Sequence, residues 1–234
     1  MSFILLLLAC RADTDRPVEP APAPAAADEA PPAAPAEEPE PAPAAFRAVA
    51  EPLPADVREA MTGVSWREGC PVGLDDLRLL RITHHTFDGS VAEGRLIVAE
   101  SAVEPLRRAF AAAFDERFPI ERMEPVHLYG GDDDRSMAAN NTSAFNCRPV
   151  AGTKTWSEHS WGTAIDVNPV QNPWVSGDRV EPPAGRPYAD RADRRPGMLF
   201  ADSALVRVLR DEGWGWGGAW SRVKDYQHLS ASGR

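Results

Sequence analysis

A long stretch of proline and alanine near the N-terminus limits which part of this chain can fold into a compact domain. Residues 11–45 are mostly Pro and Ala with scattered Asp and Glu. Such a composition cannot bury a core, so this segment is predicted to be an extended, solvated tether that reaches on the order of 100 Å. The foldable part is residues 46–234, which is long enough for one domain with a proper core.

The first ten residues resemble the end of a bacterial lipoprotein signal. Residues 2–9 form an apolar run, too short to cross a bilayer, that ends in Leu-x-Ala-Cys at Cys10. The usual Lys/Arg segment before the run is missing, and an ordinary hydrophobic N-terminus with a chance cysteine is the alternative. The resemblance implies a signal over residues 1–10, lipidation at Cys10 and an envelope protein that faces the periplasm. Arg11 rather than Asp after the cysteine favours the outer membrane.

Apolar patterning in residues 46–234 predicts an α+β domain. Residues 74–82 are apolar, a turn signal follows at Asp88-Gly89, and residues 94–99 read as a second strand of a hairpin. Ser101, with Glu104 three residues later, predicts a capped helix over residues 101–118.

A second amphipathic helix is predicted over residues 202–212, ending at Gly213. Residues 130–150 and 168–198 are predicted to be long loops that wall a substrate cleft. Together these features predict a small, mainly antiparallel sheet with packed helices. The metal site that the residues described below could form is expected to lie on this sheet.

The charge balance is acidic, with a formal net charge of −10 to which residues 11–45 contribute more than half. The sequence has no basic stripe and no interleaving of aromatic and basic residues, so a nucleic-acid partner is not expected. We expect a monomer.

Four residues could build a catalytic metal site. His159, Asp166 and His228 are of the types that bind zinc, and Asp225 is a carboxylate three residues before the last histidine. Zinc lowers the pKa of a coordinated water towards about 7, and a neighbouring carboxylate can accept its proton. On spacing alone, however, most pairs of one His and one Asp seven residues apart are structural.

Residues 157–166 carry the pattern S-x-H-x-x-G-x-A-x-D, which resembles a motif of the D-Ala-D-Ala carboxypeptidase family of zinc peptidases. This family includes VanY-like carboxypeptidases, vancomycin-resistance dipeptidases and phage L-Ala-D-Glu endolysins. The resemblance extends to the block before the motif, to its continuation and to the Trp-rich C-terminal block, which are residues 136–148, 166–173 and 213–228. It covers about residues 60–229 and implies a fold like that of hedgehog and the D-Ala-D-Ala peptidases.

The resemblance also implies roles for individual residues. His159, Asp166 and His228 would bind one Zn²⁺ ion, and Asp225 would be the general base. Arg148 would bind substrate and stabilise the oxyanion, a role that suits a permanently charged guanidinium; the alternative is a surface ion pair.

Other positions of the resemblance are less specific. Ser157 would contact the substrate or the residues around the metal, although a turn or cap is an equal alternative. Leu229 stands where an aromatic residue is usual, which questions the shape of the pocket. The remaining histidines are expected to be non-ligands; they are His84, His85 and His127. Three tryptophans are expected in the core and pocket wall, and they are Trp214, Trp216 and Trp220.

The chain has three cysteines, so lipidation of Cys10 would leave an even pair in an oxidising compartment. We therefore predict a disulfide between Cys70 and Cys147, next to Arg148. Two buried free thiols are the alternative.

These observations lead to the hypothesis of a lipid-anchored zinc peptidase that acts on peptidoglycan stem peptides as a D-alanyl-D-alanine carboxypeptidase. An endopeptidase that cuts L-Ala-D-Glu or a crosslink is the nearest alternative. A non-catalytic cell-wall-binding module with a structural zinc is an alternative of another class. A phage-type lysin is a weaker one.

Overall fold

The computed structural model of the chain describes residues 45–234. The predicted signal with Cys10, and the predicted tether up to residue 44, lie outside the described residues, so both stay predictions. Within the described part of the chain, no helix combines the length and the apolar character needed to span a membrane.

The described residues contain α-helices, short 3-10 helices and short strands. The strands are β1 (Ala48–Pro52), β2 (Leu77–His85), β3 (Val91–Ala99), β4 (Arg122–Met123), β5 (Asn141–Thr142), β6 (Ala164–Asp166), β7 (Trp174–Ser176), β8 (Arg179–Glu181), β9 (Gly215–Trp216), β10 (Lys224–Asp225) and β11 (His228–Ser230). The α-helices are α1 (Ala55–Met61), α2 (Val103–Asp115), α3 (Asp133–Ala138) and α4 (Ala204–Asp211). The 3-10 helices are Leu74–Asp76, Glu100–Ala102, Val126–Tyr129, Glu158–Trp161, Pro183–Tyr188 and Gly217–Ala219.

The predicted hairpin is confirmed as the centre of the largest sheet. β2 and β3 pair antiparallel along their full length, and β1 adds to the outer edge of β2. The turn between them includes Gly89 at φ +84°, a left-handed conformation that favours glycine.

Both faces of this sheet are covered, which explains why β2 reads as a nearly continuous apolar run. Leu80 and Ile82 pack in the main core with α2 and α4. Leu77 and Leu79 point to the opposite face, where they pack with Met61 in a second cluster. The sheet is therefore a rigid wall between two cores.

Two further antiparallel sheets build the part of the domain that carries the candidate site. One has the strand order β6-β11-β9 and the other β10-β7-β8, while β4 and β5 form a parallel pair. The prediction of an α+β domain with mainly antiparallel strands is confirmed. The prediction of one small sheet is wrong, because the strands divide into three separate antiparallel sheets and one parallel pair.

The predicted capping box at Ser101 is wrong. Ser101 lies inside the 3-10 helix that precedes α2, and α2 begins at Val103 without a side-chain cap. A residue whose backbone is already helical cannot take the extended conformation of an N-cap. The helix ends at Asp115, earlier than predicted, because Arg117 adopts φ +53° and Phe118 donates its N–H back to Ala113 O.

The second predicted helix is confirmed in its core but is shorter at both ends. α4 begins at Ala204 because Ser203, at φ −63° and ψ 139°, has the extended backbone of an N-cap residue. Gly213 follows the helix at φ +87°, as its C-terminal glycine position predicts.

The two predicted long loops are not structureless. The first contains α3 and β5, and the second contains β7, β8 and a 3-10 helix. Elements this short carry too little periodicity to be seen in sequence. Both segments nevertheless contribute to a cleft wall, through residues such as Asp133 and Trp174.

The Cys70–Cys147 disulfide is present in the structure, which confirms the predicted pairing. Both cysteines pack with the second apolar cluster beneath β2. The bond joins this cluster to the residue that precedes Arg148.

We expect the double substitution Cys70→Ser and Cys147→Ser to lower the free energy of unfolding by about 2–4 kcal/mol. The bond links residues 77 positions apart, so its loss frees a large loop in the unfolded chain. Urea unfolding of the variant and of the native chain would measure the difference. Native protein in reductant should match the variant, whereas an unchanged midpoint in both would contradict the prediction.

Candidate metal centre

A direct cross-strand pair forms the base of the candidate metal centre. Asp166 on β6 lies opposite His228 on β11, and side chains at such positions project from the same face. Asp166 Oδ1 lies 3.0 Å from His228 Nδ1. The main chain of Asp166 is also fixed on its other side, where it exchanges two hydrogen bonds of 2.9 Å with Ser143.

His159 completes the cluster from the 3-10 helix Glu158–Trp161. Its Nε2 lies 3.1 Å from Asp166 Oδ2 and 3.3 Å from His228 Nδ1. One ligand atom from each of the three residues lies within 4.8 Å of the others, and all three residues are buried. The structure therefore brings together the two histidines and the aspartate that the sequence singled out.

Main-chain carbonyls orient both imidazole rings. His159 Nδ1 lies 2.6 Å from Ala144 O, and His228 Nε2 lies 2.9 Å from Arg234 O. A carbonyl oxygen only accepts, so the ring nitrogen that faces it carries the hydrogen. The opposite nitrogen of each neutral ring then presents a lone pair to the centre of the cluster.

This donor set fits a metal cation. Two imidazole lone pairs and a carboxylate converge, so each hydrogen-bond acceptor faces other acceptors. This arrangement is unfavourable unless a positive charge lies between them. Nitrogen and carboxylate ligands in this combination suit zinc, and three protein ligands leave a coordination position open.

The same need for positive charge shows in the pKa values of the metal-free cluster. Burial opposes charge on His228, but the hydrogen bond and the charge of Asp166, assisted by Asp225, raise its pKa to about 9. Burial also opposes ionisation of Asp166, yet the charges and hydrogen bonds of His159 and His228 hold its pKa below its usual range. Both shifts share one cause, which is the attraction between His228 and the carboxylate of Asp166.

Asp225 lies beside the cluster on a different sheet. It sits on β10, opposite Trp174 of β7. Its Oδ1 is enclosed and has no hydrogen-bond partner among the described residues. Burial and the negative charge of Asp166 raise the pKa of Asp225 to about 7, against the opposing effect of His228.

Arg148 lies on the wall of the same cleft, held at both ends. Its main-chain N–H donates to Ser160 Oγ at 3.0 Å, and Ser160 Oγ donates to Arg148 O at 2.8 Å. Its Nη2 donates to Asp133 Oδ2 in an ion pair whose side chains are about three-quarters buried. Arg148 Nε is enclosed without a partner among the described residues.

The cleft that contains these groups has a volume of about 460 Å³. Its walls carry the metal cluster, Asp225 and Arg148, together with Ser157, Trp174 and Trp220. Ser157 acts structurally as a cap, since its Oγ accepts the N–H of His159 at 3.4 Å. Ser157 is also one of the residues that line the cleft, so both interpretations made from the sequence remain compatible with its position.

Leu229 does not shape the cleft. It is buried in the main core, where it pairs across strands with Ile165 and Trp216. Leu229 is not among the residues that line the cleft, because alternate residues of β11 point to opposite faces.

The three tryptophans lie in the core and on the cleft wall, as the sequence indicated. Trp214 is buried in the core, Trp216 packs against the core, and Trp220 lies on the cleft wall with its ring 5.7 Å from that of His228. Three other histidines lie outside the candidate cluster found among the described residues. They are His84, His85 and His127.

Two asparagines that sequence reasoning missed hold the segment after Asp166. Asn168 adopts φ +43° and donates through Nδ2 to Pro119 O and Gly197 O. Asn172 donates to Val167 O and accepts the N–H of Leu199. Asparagine tolerates the left-handed region and can bond to main chain on several sides. The Asn-x-x-x-Asn spacing after the motif was the available signal.

Comparison with known proteins agrees with this geometry. A family model described as D-alanyl-D-alanine carboxypeptidase matches residues 151–231. This match supports a peptidase of that family over the segment that carries His159, Asp166, Asp225 and His228; Arg148 lies outside it. Searches of curated proteins and of solved structures found no match.

We expect Asp225 to make the metal-free protein less stable as pH rises from about 4 to about 7. The folded carboxyl, with a pKa of about 7, keeps its proton over this range, while the unfolded carboxyl loses it near pH 4. Because the folded state then binds more protons, the free energy of unfolding falls with rising pH.

The substitution Asp225→Asn removes this contribution. Urea unfolding in the presence of a chelator should show that the variant gains stability relative to the native chain between pH 4 and 7, with a constant difference above pH 8. Parallel pH profiles for the two proteins would contradict the prediction.

Proposed function

We propose that this protein is a zinc-dependent peptidase that hydrolyses peptidoglycan stem peptides, with the D-Ala-D-Ala bond as its target. The observation that carries the proposal is the convergence of His159, Asp166 and His228 beside an enclosed carboxylate. The family match over the same segment supports it.

His159, Asp166 and His228 would hold the ion. When bound, zinc supplies Lewis-acid activation of water and of the scissile carbonyl. The hydrogen bonds from the histidines to Ala144 O and Arg234 O keep the ligand nitrogens directed at the ion before substrate arrives.

Asp225 is suited to move protons. It accepts the proton of the attacking water and passes it to the departing amine. A carboxylate can do both, because it acts as a base towards the water and, once protonated, as an acid towards the amine. Asp225 lines the cleft, and its Oδ1 has no hydrogen-bond partner within the described residues that would compete for the proton.

Arg148 stabilises negative charge on the carbonyl oxygen of the substrate. Its ion pair with Asp133 uses Nη2 and leaves Nη1 available to donate. Because the guanidinium is anchored before the reaction, little reorganisation is needed as charge develops.

The N-terminal features complete the proposal. Lipidation of Cys10 would anchor the protein to a membrane of the cell envelope, and the Pro/Ala-rich tether would carry the peptidase into the periplasm towards the peptidoglycan.

We expect a chelator to abolish hydrolysis of defined muropeptides and added Zn²⁺ to restore it. Asp225→Asn should lower kcat by about 10²–10⁴ while Zn²⁺ still binds, because the substitution removes proton transfer but no ligand. His159→Ala should lose both Zn²⁺ binding and activity. His127→Gln, a histidine outside the cluster, is the matched control and should retain both. Activity that survives the chelator and Asp225→Asn would falsify this mechanism.

The masses of the products separate the alternatives. Release of a single terminal D-Ala supports the carboxypeptidase. Cleavage at L-Ala-D-Glu or at a crosslink supports an endopeptidase on the same machinery. Zinc-dependent binding to peptidoglycan without turnover supports a non-catalytic binding module.

Asp133 provides a separate prediction. We expect Asp133→Ala to lower kcat/KM by about tenfold, since an unanchored Arg148 loses the geometry that the developing charge requires. Asp134→Ala is the matched control, because Asp134 is the next residue and lines the same cleft without an ion pair among the described residues.

A mutant cycle tests the cause of this effect. Asp133→Glu should recover part of the activity, and Asp133→Ala should add no further loss in an Arg148→Ala background. Equal losses in the Asp133 and Asp134 variants, or additive losses in the double variant, would show that Asp133 does not act through Arg148.

A further inference from the structure

A second cleft lies on the other side of the turn that carries His159. Its volume is about 640 Å³, and it shares Glu158 and Arg234 with the metal cleft. These two residues form an ion pair of 3.7 Å and so stand between the two spaces. The second cleft has no role in the mechanism described above.

The 3-10 helix Glu158–Trp161 is the ridge between the clefts. His159 is buried in the metal cluster, whereas Trp161 lies in the second cleft with 47% of its surface exposed. Single exposed apolar side chains are common, but Trp161 differs from the others because its indole lies on the wall of a cleft, where a ligand can contact its face.

Close packing fixes the position of Trp161 relative to His159. Gly162 ends the turn at φ +68°, and its carbonyl accepts the N–H of Ala99 at 2.8 Å. A Cβ at Gly162 would lie 2.6 Å from Ala99 N, so the turn sits directly against the end of β3. A ligand on the indole would therefore be held in a defined place relative to the metal centre.

The chemistry around Trp161 favours a neutral ligand rich in hydroxyl groups. Ser101, Thr163 and Ser232 provide hydroxyls, and Asp76 provides a carboxylate acceptor, while Glu100 is paired with Arg78 at 2.6 Å. On the described lining of this cleft Arg234 is the one cation, and it is already paired with Glu158. A phosphate or another anion would meet mainly negative charge.

We propose that the second cleft binds a sugar ring of a neutral glycan, with the apolar face of the ring on the Trp161 indole and its hydroxyls bonded to the lining oxygens. The inference rests on the proposed function, because a stem peptide is joined to such a glycan. The peptide occupies the metal cleft while the attached sugar occupies the second one across the Glu158–Arg234 pair.

The test compares one stem peptide in two forms, free and attached to its disaccharide. The native protein should have a higher kcat/KM for the attached form. Trp161→Ala should lower the ratio of kcat/KM for the attached form to kcat/KM for the free peptide by about tenfold, which is equivalent to one stacking contact. The kcat/KM for the free peptide should stay unchanged. Trp161→Phe should retain part of it. Leu128→Ala is the control, because Leu128 is another exposed apolar side chain and lines neither cleft.

A binding measurement separates failure of the inference from failure of the proposed function. The neutral disaccharide of N-acetylglucosamine, titrated into the chelator-treated protein, should perturb Trp161 and should not bind the Trp161→Ala variant. Binding without any peptidase activity would sink the proposed function but keep the sugar site. Equal cleavage of both forms, with no effect of Trp161→Ala, would overturn the sugar site. Trp161-dependent binding that favours an amine-bearing peptide over the disaccharide would overturn it as well.

Discussion

The pairing of β6 with β11 is the constraint on which the candidate site depends. It places Asp166 opposite His228 on one face and Ile165 opposite Leu229 on the other, so the register that builds the metal cluster also builds the core. A slip by one residue would exchange the two faces and bury the ligands in apolar surroundings. The free energy of the core therefore maintains a cluster of acceptors that is unfavourable by itself.

Segments distant in sequence hold this cluster in its reactive geometry. Ala144 and Arg234 orient the two imidazoles through main-chain oxygens, and the neighbouring sheet supplies Asp225. Arg148 belongs to a further segment, held by Ser160 on one side and Asp133 on the other. Because each contact involves a different part of the chain, the site exists only in the complete fold, and no short motif reproduces it.

This dispersion explains what could be predicted from sequence. The β2–β3 hairpin was predictable because its turn and strands are local, and the metal residues because their motif has a recognisable order. The Asp133–Arg148 pair and the division into three antiparallel sheets were not, because long-range contacts between short elements leave no periodic signal. The start of α2 was misplaced because a 3-10 helix absorbs Ser101, a tertiary effect that local capping rules do not include.

The 3-10 helix Glu158–Trp161 shows how one short element can serve several purposes. Ser160 binds the main chain of Arg148, His159 enters the metal cluster and Trp161 faces the second cleft. In a helix with three residues per turn, successive side chains point about 120° apart, so three adjacent residues address three directions. A longer α-helix or a strand would send some of these side chains to the same face. The turn thus sets the distances between the candidate metal centre, the arginine and the indole together, and Gly162 packs the turn against the end of β3.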